Sequence, residues 1–186
     1  LPSKDPLITY ITKSSSLKKI HLISNQIPKL LLTGNIQTTI NSLSTNSLNI
    51  NALIKKSNKR ELELAMSQLS FIAHAYIWGD VKPQKILPKV ICKPWVTLAK
   101  ILGRPPILSY ASYCLHNWYR IDKSLPVSLE NVALINNFLG GVDEDWFVTI
   151  HVCIEDAAST AINSAFIISN FTEKNTAKDF IKELKI

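Results

Sequence analysis

Residues 144–170 contain neither glycine nor proline, the two strongest local breakers of regular structure. The stretch therefore has to be one continuous element. Its front half, Phe147-Val-Thr-Ile-His-Val-Cys-Ile154, has the β-branched content of a buried strand. Its back half carries Ala157, Ala158, Ala161 and Ala165, and alanine strongly favours helix. With no turn signal between the halves, the pattern predicts one helix over 144–170. A second helix is predicted over 60–78, where Leu62, Ala65, Leu69, Ile72 and Tyr76 keep one apolar face. Only 5 glycines occur, too few for an architecture rich in tight β-turns. The expected fold class is all-α.

The remaining segments are read from their caps and breakers. Ser14-Ser15-Ser16 precede Leu17, Ile20 and Ile23 as a capped helix start, and Pro28 breaks or restarts that pattern before Gly34. Residues 41–58, rich in Asn, Ser and Lys, read mainly as a loop. Gly79 ends the 60–78 helix. Residues 80–94 form a connector punctuated by Pro83, Pro88 and Pro94, the last in the first turn of a helix that runs to Leu102 and stops at Gly103. Pro105-Pro106 are expected to start a helix through Trp118. Residues 120–128 read as a loop, and Ser128 as the cap of a helix over 129–139. Gly140-Gly141 is a turn and Asp143 the expected N-cap of the long helix, with Glu144 and Asp145 favourable at its positive end. Residues 175–186 read as a final helix.

Composition narrows the function classes. Hydrophobic residues make up 46% of the 186, which fits a globular protein rather than a disordered one. The formal net charge is +7, yet of 21 basic residues only Arg60, Arg104 and Arg120 are arginine. Phosphate and base readout lean on guanidinium forks, so scattered lysines argue for a solvated surface and against a nucleic-acid partner. The 3 cysteines, Cys92, Cys114 and Cys153, have no CxxC spacing and sit in apolar surroundings, which fits reduced core residues and neither a disulfide framework nor a metal site. No apolar run is long enough for a membrane span and no signal-peptide pattern opens the sequence, so no membrane partner is expected and a cytoplasmic location is the default.

Two stretches carry chemistry. Arg104-Pro-Pro-Ile-Leu-Ser-Tyr-Ala-Ser-Tyr-Cys-Leu-His-Asn-Trp118 brings aromatic and small polar residues together. In Asp143-Glu-Asp-Trp-Phe-Val-Thr-Ile-His151, Phe147 and His151 fall one helical turn apart and share a face. Together these stretches suit one side of a pocket for a flat aromatic ligand. On pattern alone, Tyr110 and Phe147 read equally well as core aromatics and His151 as a core histidine. Asp143-Glu-Asp145 reads as a helix cap before it reads as a metal site. His21, His74 and His116 have no partner at ligand spacing, and Arg104 is assigned to the start of a helix or to the surface.

Six ordered pieces of the sequence resemble the indoleamine 2,3-dioxygenase family. They are Ala75-Tyr-Ile-Trp-Gly79, Ile86-Leu-Pro88 with Lys93-Pro-Trp95, Pro105-Pro-Ile-Leu-Ser-Tyr-Ala111, Asn117-Trp118, Phe138-Leu-Gly-Gly141, and Trp146-Phe147 with His151 and Glu155. A looser match is Ile27-Pro-Lys-Leu-Leu-Leu-Thr-Gly34. The resemblance covers most of the chain. It implies a small N-terminal helical domain, placed at 1–122, and the first helices of a haem domain at 123–186. It implies haem b held by one proximal histidine, and insertion of both atoms of dioxygen across the indole C2–C3 bond of L-tryptophan or a related indole. On the matching positions, Tyr110, Tyr113, Cys114 and Phe147 would line the distal pocket, and His151 would stand nearest dioxygen. Animal members carry serine at that place, whereas many bacterial homologues carry histidine, so the sequence looks closer to a microbial branch. His151 is expected either to donate to dioxygen or to accept from the indole N–H, according to its tautomer, with Glu155 orienting its ring.

The resemblance puts the proximal histidine, the basic residue for the substrate carboxylate and a small-residue loop downstream of Ile186. None of the four histidines here matches the proximal position. The expectation is the N-terminal portion of such an enzyme, whose partner is the missing C-terminal half, and which alone neither holds haem nor turns over tryptophan. The alternative is a truncated or split helical interaction module that self-associates through the exposed apolar face of the 144–170 helix.

Overall fold

The computed structural model describes residues 16–56, 58–171 and 175–184. It is predominantly helical, as the sequence predicts. Helix α5, Lys59–Trp78, is its axis: α1 (Ser16–Asn25), α2 (Ile27–Leu32), α3 (Ile36–Asn41), α4 (Asn51–Lys56) and α6 (Lys89–Leu102) all pack on it. The Asn58 side chain caps α5 by accepting from the backbone N–H groups of Arg60 and Glu61, and Gly79 follows the last turn. Buried on α5 are Leu64, Met66, Leu69, Phe71 and Ile72. They meet Ile20 of α1, Ile27 of α2, Ile36 and Ile40 of α3, Leu53 of α4 and Ile91 and Leu98 of α6. Trp95 and Ser70 are paired inside this core. Trp95 Nε1 donates to Ser70 Oγ at 2.9 Å, and Ser70 Oγ donates to the Met66 carbonyl at 2.7 Å.

Several segments differ from their sequence expectations. Ser16 opens α1, whereas Ser14 and Ser15 lie outside the described residues. The described residues of 41–58 are mainly loop, as expected, and Leu53 anchors the short helix α4 among them in the core. The connector after Gly79 ends at Pro88, where α6 begins, so Pro94 sits in the second turn of α6 rather than the first. Gly103, at φ 66°, ends α6 in the left-handed conformation that glycine adopts without strain.

The largest departure lies between Pro105 and Leu139, where neither predicted helix forms. A single wide π-turn, Ala111–Leu115, closes with the His116 N–H on the Ala111 carbonyl at 2.8 Å. The chain then leaves as β1 (Trp118–Arg120), paired antiparallel with β2 (Val132–Leu134) in the register Trp118↔Leu134. Tertiary hydrogen bonds override the local preference here. Asn117 Oδ1 accepts from both the backbone N–H and Nδ2 of Asn136, and Asn117 Nδ2 donates to the Asn136 carbonyl. Ser24 Oγ, from α1, donates to Asn136 Oδ1 at 2.7 Å. Asn131 ties off the hairpin loop, accepting from the Asp122 N–H and donating to the Asp122 and Pro126 carbonyls. Buried amides with this many partners hold a non-helical path that propensity does not favour.

The long helix α7, Val142–Ser169, forms as one piece, and α8 is Ala177–Leu184. Val148 and Val152 of α7 join Cys114, Trp118 and Val132 in a second apolar cluster. Tyr113 packs against both clusters and joins them. No helix among the described residues is long and apolar enough to cross a membrane.

Gly79 is required by space. A Cβ there would be driven into the Ala75 carbonyl and the Leu31 and Ile36 side chains. Gly79→Ala is expected to destabilise the fold by about 1–3 kcal/mol, read from the urea midpoint.

Candidate functional site

The site is built where α7 begins. Its N-cap is Gly141, not Asp143, and no side-chain hydrogen bond caps it. The Glu144 carboxylate turns back and accepts three backbone N–H groups, from Phe138 at 2.7 Å, Leu139 at 2.8 Å and Gly140 at 3.0 Å. Asn137 Nδ2 adds a bond to Asp145 Oδ1 at 2.6 Å. Carboxylates at the positive end of a helix are favourable on their own account, and here they also fasten the 137–140 loop to α7. That loop delivers the Phe138 ring to Phe71 of α5, with centroids 4.8 Å apart.

With Val148 and Val152 turned into the core, helical periodicity leaves Phe147 and His151 on the adjacent face. Their rings meet at 4.4 Å between centroids. His151 Nδ1 lies 2.6 Å from the Phe147 carbonyl oxygen, which can only accept, so Nδ1 carries the proton. In the neutral ring, Nε2 then holds the lone pair. Tyr110, preceding the π-turn, sets its ring edge-on to His151 at 6.0 Å and 72°. Tyr113 packs on Phe147 at 6.1 Å and stacks on Phe71 at 5.7 Å. An aromatic row thus runs from α5 through Tyr113 and Phe147 to His151 and Tyr110.

Four of the five site residues expected from sequence, Tyr110, Tyr113, Phe147 and His151, are brought together on this row. The fifth, Cys114, is fully buried among Trp118, Val132, Val148 and Val152 and stands behind the face rather than on it. Burial, and secondarily the nearby Glu155 carboxylate, push its thiol up to about 11, so it stays protonated. The face itself is open. Phe147 is 50% exposed and Tyr110 46%, so the described residues form a wall and not a closed chamber.

The role expected for Glu155 changes. The Phe147 carbonyl orients the imidazole, while Glu155 Oε1 accepts the Tyr110 hydroxyl at 2.9 Å. The Tyr110 phenol is pushed up to about 12 by burial, then by the hydrogen bond and charge of Glu155, then by Cys114. Because the ring as a whole is nearly half exposed, the Glu155 bond is the cause that the geometry fixes most firmly. The Tyr113 phenol is raised by burial, then by Glu144 and Cys114.

The other histidines have structural surroundings. His21 is bracketed by the Asn25 and Gln68 side-chain amides, and His74 Nδ1 donates to the Ser70 carbonyl. His116 is lowered by burial and by Arg104 and Lys59, against an opposing pull from Glu63. Arg104, assigned from sequence to a helix start or the surface, forms a half-buried ion pair with Glu63. Sequence reading missed Ser67, whose hydroxyl donates to the Ser112 carbonyl inside the π-turn at 3.1 Å and seats that turn on α5. Ser67 shares its helix face with Glu63, Leu64, Ser70 and Phe71, so local sequence carried no signal for this bond.

A helical scaffold presenting an aromatic wall with one imidazole defines the class, and comparison with known proteins supplies the family. The model for the family described as Indoleamine 2,3-dioxygenase matches residues 1–186. The chain is 37% identical over 161 residues to the indoleamine 2,3-dioxygenase of Saccharomyces cerevisiae, covering 82% of this chain and 35% of that protein. It is 33% identical over 165 residues to indoleamine 2,3-dioxygenase 1 of Mus musculus, covering 88% of this chain and 39% of that protein. This chain belongs to the indoleamine 2,3-dioxygenase family. It spans a little over a third of the length of these relatives.

Two measurements check the site. Glu144→Ala leaves three backbone donors without their acceptor and is expected to cost about 1–2 kcal/mol, read by urea unfolding. In a brief native pulse of iodoacetamide followed by peptide mapping, Cys114 is expected to label after the less buried Cys92 and Cys153. Cys114 is buried with a raised thiol, and Cys153 is raised by burial and by Asp156.

Proposed function

We propose that this chain is the N-terminal portion of a haem-dependent dioxygenase that cleaves the indole C2–C3 bond of L-tryptophan or a related indole with dioxygen. In this reading it supplies the distal wall. The observation that carries it is the Phe147–His151 pair: two rings on one helix face, with the imidazole proton held on Nδ1 and Nε2 left as an acceptor in the neutral ring. Family membership supports dioxygenase chemistry, and the relatives' printed names point to indoleamine substrates.

The wall fits an indole lying beside a haem. Phe147 and Tyr113 offer π faces, worth about 0.5–1.5 kcal/mol per aromatic pair beyond buried area. With Nδ1 donating to the Phe147 carbonyl, His151 Nε2 suits acceptance of the indole N–H in the neutral ring, which supports the acceptor reading over the donor one. Cys114 lies behind this wall as a protonated thiol and supports its shape. Haem b, when bound, supplies the iron that activates dioxygen, and the protein contributes ligation, orientation and exclusion of water. None of the four histidines is assigned as the axial ligand in this reading. We retain the division into a small domain, 1–122, and the opening of a haem domain, 123–186. The hydrogen-bonded hairpin β1–β2 crosses that junction.

A second reading has its own observation. Ile154, Ile162 and Phe166 of α7 are largely exposed beyond Phe147, which makes the helix an apolar strip available to a second copy. Sedimentation of the 186-residue chain that shifts with concentration, without haem uptake, would favour that interaction role.

In a protein that includes this chain and is loaded with haemin and reductant, L-tryptophan and dioxygen are expected to yield N-formylkynurenine. His151→Ala is expected to lower kcat about a hundredfold, and Phe147→Ala to act mainly on KM. Wild-type kcat in His151→Ala would remove the role given to the imidazole. For the 186-residue chain alone, a haemin titration is expected to show no stoichiometric single-histidine Soret band.

A further inference from the structure

Tyr110 precedes the π-turn, at the end of the irregular segment 103–109, and its side chain has few holds. The ring is 46% exposed. Among the described residues it meets one other ring, the His151 imidazole, edge-on at 6.0 Å. Its hydroxyl donates to Glu155 Oε1 at 2.9 Å, across 45 residues of sequence. Glu155 stands one helical turn beyond His151 on α7, so the bond spans the face on which the imidazole lies. The imidazole needs no help from Glu155, because its Nδ1 is held by the Phe147 carbonyl within the same helix.

We propose that Glu155 is a positioning residue that acts through Tyr110: its carboxylate fixes the phenol ring as the second wall beside His151 and fastens the 103–110 segment to α7. This rests on the reading of the Phe147–His151 face as the ligand wall and adds to it the device that sets the wall's width. The Tyr110 hydroxyl is committed as a donor to Glu155, so Tyr110 offers a ligand its ring and not its proton. Three groups face the phenol: the Glu155 carboxylate, the Cys114 thiol and the His151 imidazole. Both Glu155 and burial hold the phenol in its neutral form, and the Cys114 thiol beside it is neutral as well. A hydrogen bond to a charged acceptor is about twice as strong as one between neutral groups, enough to hold an otherwise half-exposed ring.

The test uses the whole 186-residue chain at neutral pH with no haem. Proton NMR should show a Tyr110-to-His151 ring contact in the wild type. It should be lost in Glu155→Ala and in Tyr110→Phe, where a ring remains but the bond does not. It should be kept in Glu155→Gln, whose amide oxygen can still accept. Contacts of Val148 and Val152 with Trp118 should persist throughout, which separates a moved ring from a damaged fold. Retention of the ring contact in both Glu155→Ala and Tyr110→Phe would overturn the proposal. In a haem-loaded protein that includes this chain, Glu155→Ala is expected to raise KM for the indole about tenfold with kcat much less affected, and Glu155→Gln to restore it. A wild type without turnover would sink the proposed function alone, because the NMR outcome decides the role of Glu155 independently.

Discussion

Helix α5 holds the π-turn at 111–115 in place with a serine and an aromatic ring. Ser67, buried in α5, donates to the Ser112 carbonyl, and Phe71, one turn further on, stacks against Tyr113. A π-turn is uncommon because its wide loop packs poorly on itself, so it persists where neighbours supply what its geometry leaves open. Here α5 supplies both a donor and a flat surface. Tyr113 is thereby fixed between the main core and the smaller cluster under α7, and Tyr110, Cys114 and Trp118 take their places by continuity of the chain. If the turn were an ordinary α-helix running on to Trp118, the side chains after Tyr113 would rotate off this register and β1 could not form.

The second fixed point is the start of α7. Glu144 gathers three backbone donors from the 138–140 loop, and that loop carries Phe138 onto Phe71. The two anchors therefore converge on one α5 side chain. The aromatic wall is assembled from segments far apart in sequence, yet each is tied to the same central helix by short-range chemistry.

The parts of this arrangement that were legible in the sequence were those set by periodicity. The α5 and α7 helices follow from apolar spacing and from the lack of breakers. The pairing of Phe147 with His151 follows from a four-residue separation alone. The path from Pro105 to Leu139 was not legible, because Asn117, Asn131 and Asn136 decide it. An asparagine reads locally as a turn or capping residue, and nothing near Asn117 announces that its partner is Asn136. The same limit applied to Glu155. From helical spacing it belonged with His151, but its partner came from another segment and took the hydroxyl of Tyr110 instead. Burial of Cys114 was foreseen from its apolar surroundings, whereas its place behind the face, not on it, depended on the turn being wider than α-helical.

The bond from His151 Nδ1 to the Phe147 carbonyl has a consequence for how a ligand would be met. It lies wholly within one turn of α7, so the imidazole is oriented by the backbone that carries it. The direction of Nε2 is thereby set by the helix itself. An arriving molecule would find that acceptor in place and would lose little affinity to freezing its rotation. Under the proposed function, discrimination by such a group would be geometric: a planar guest whose N–H meets that line would be accommodated, and one whose N–H is displaced or methylated would be turned away.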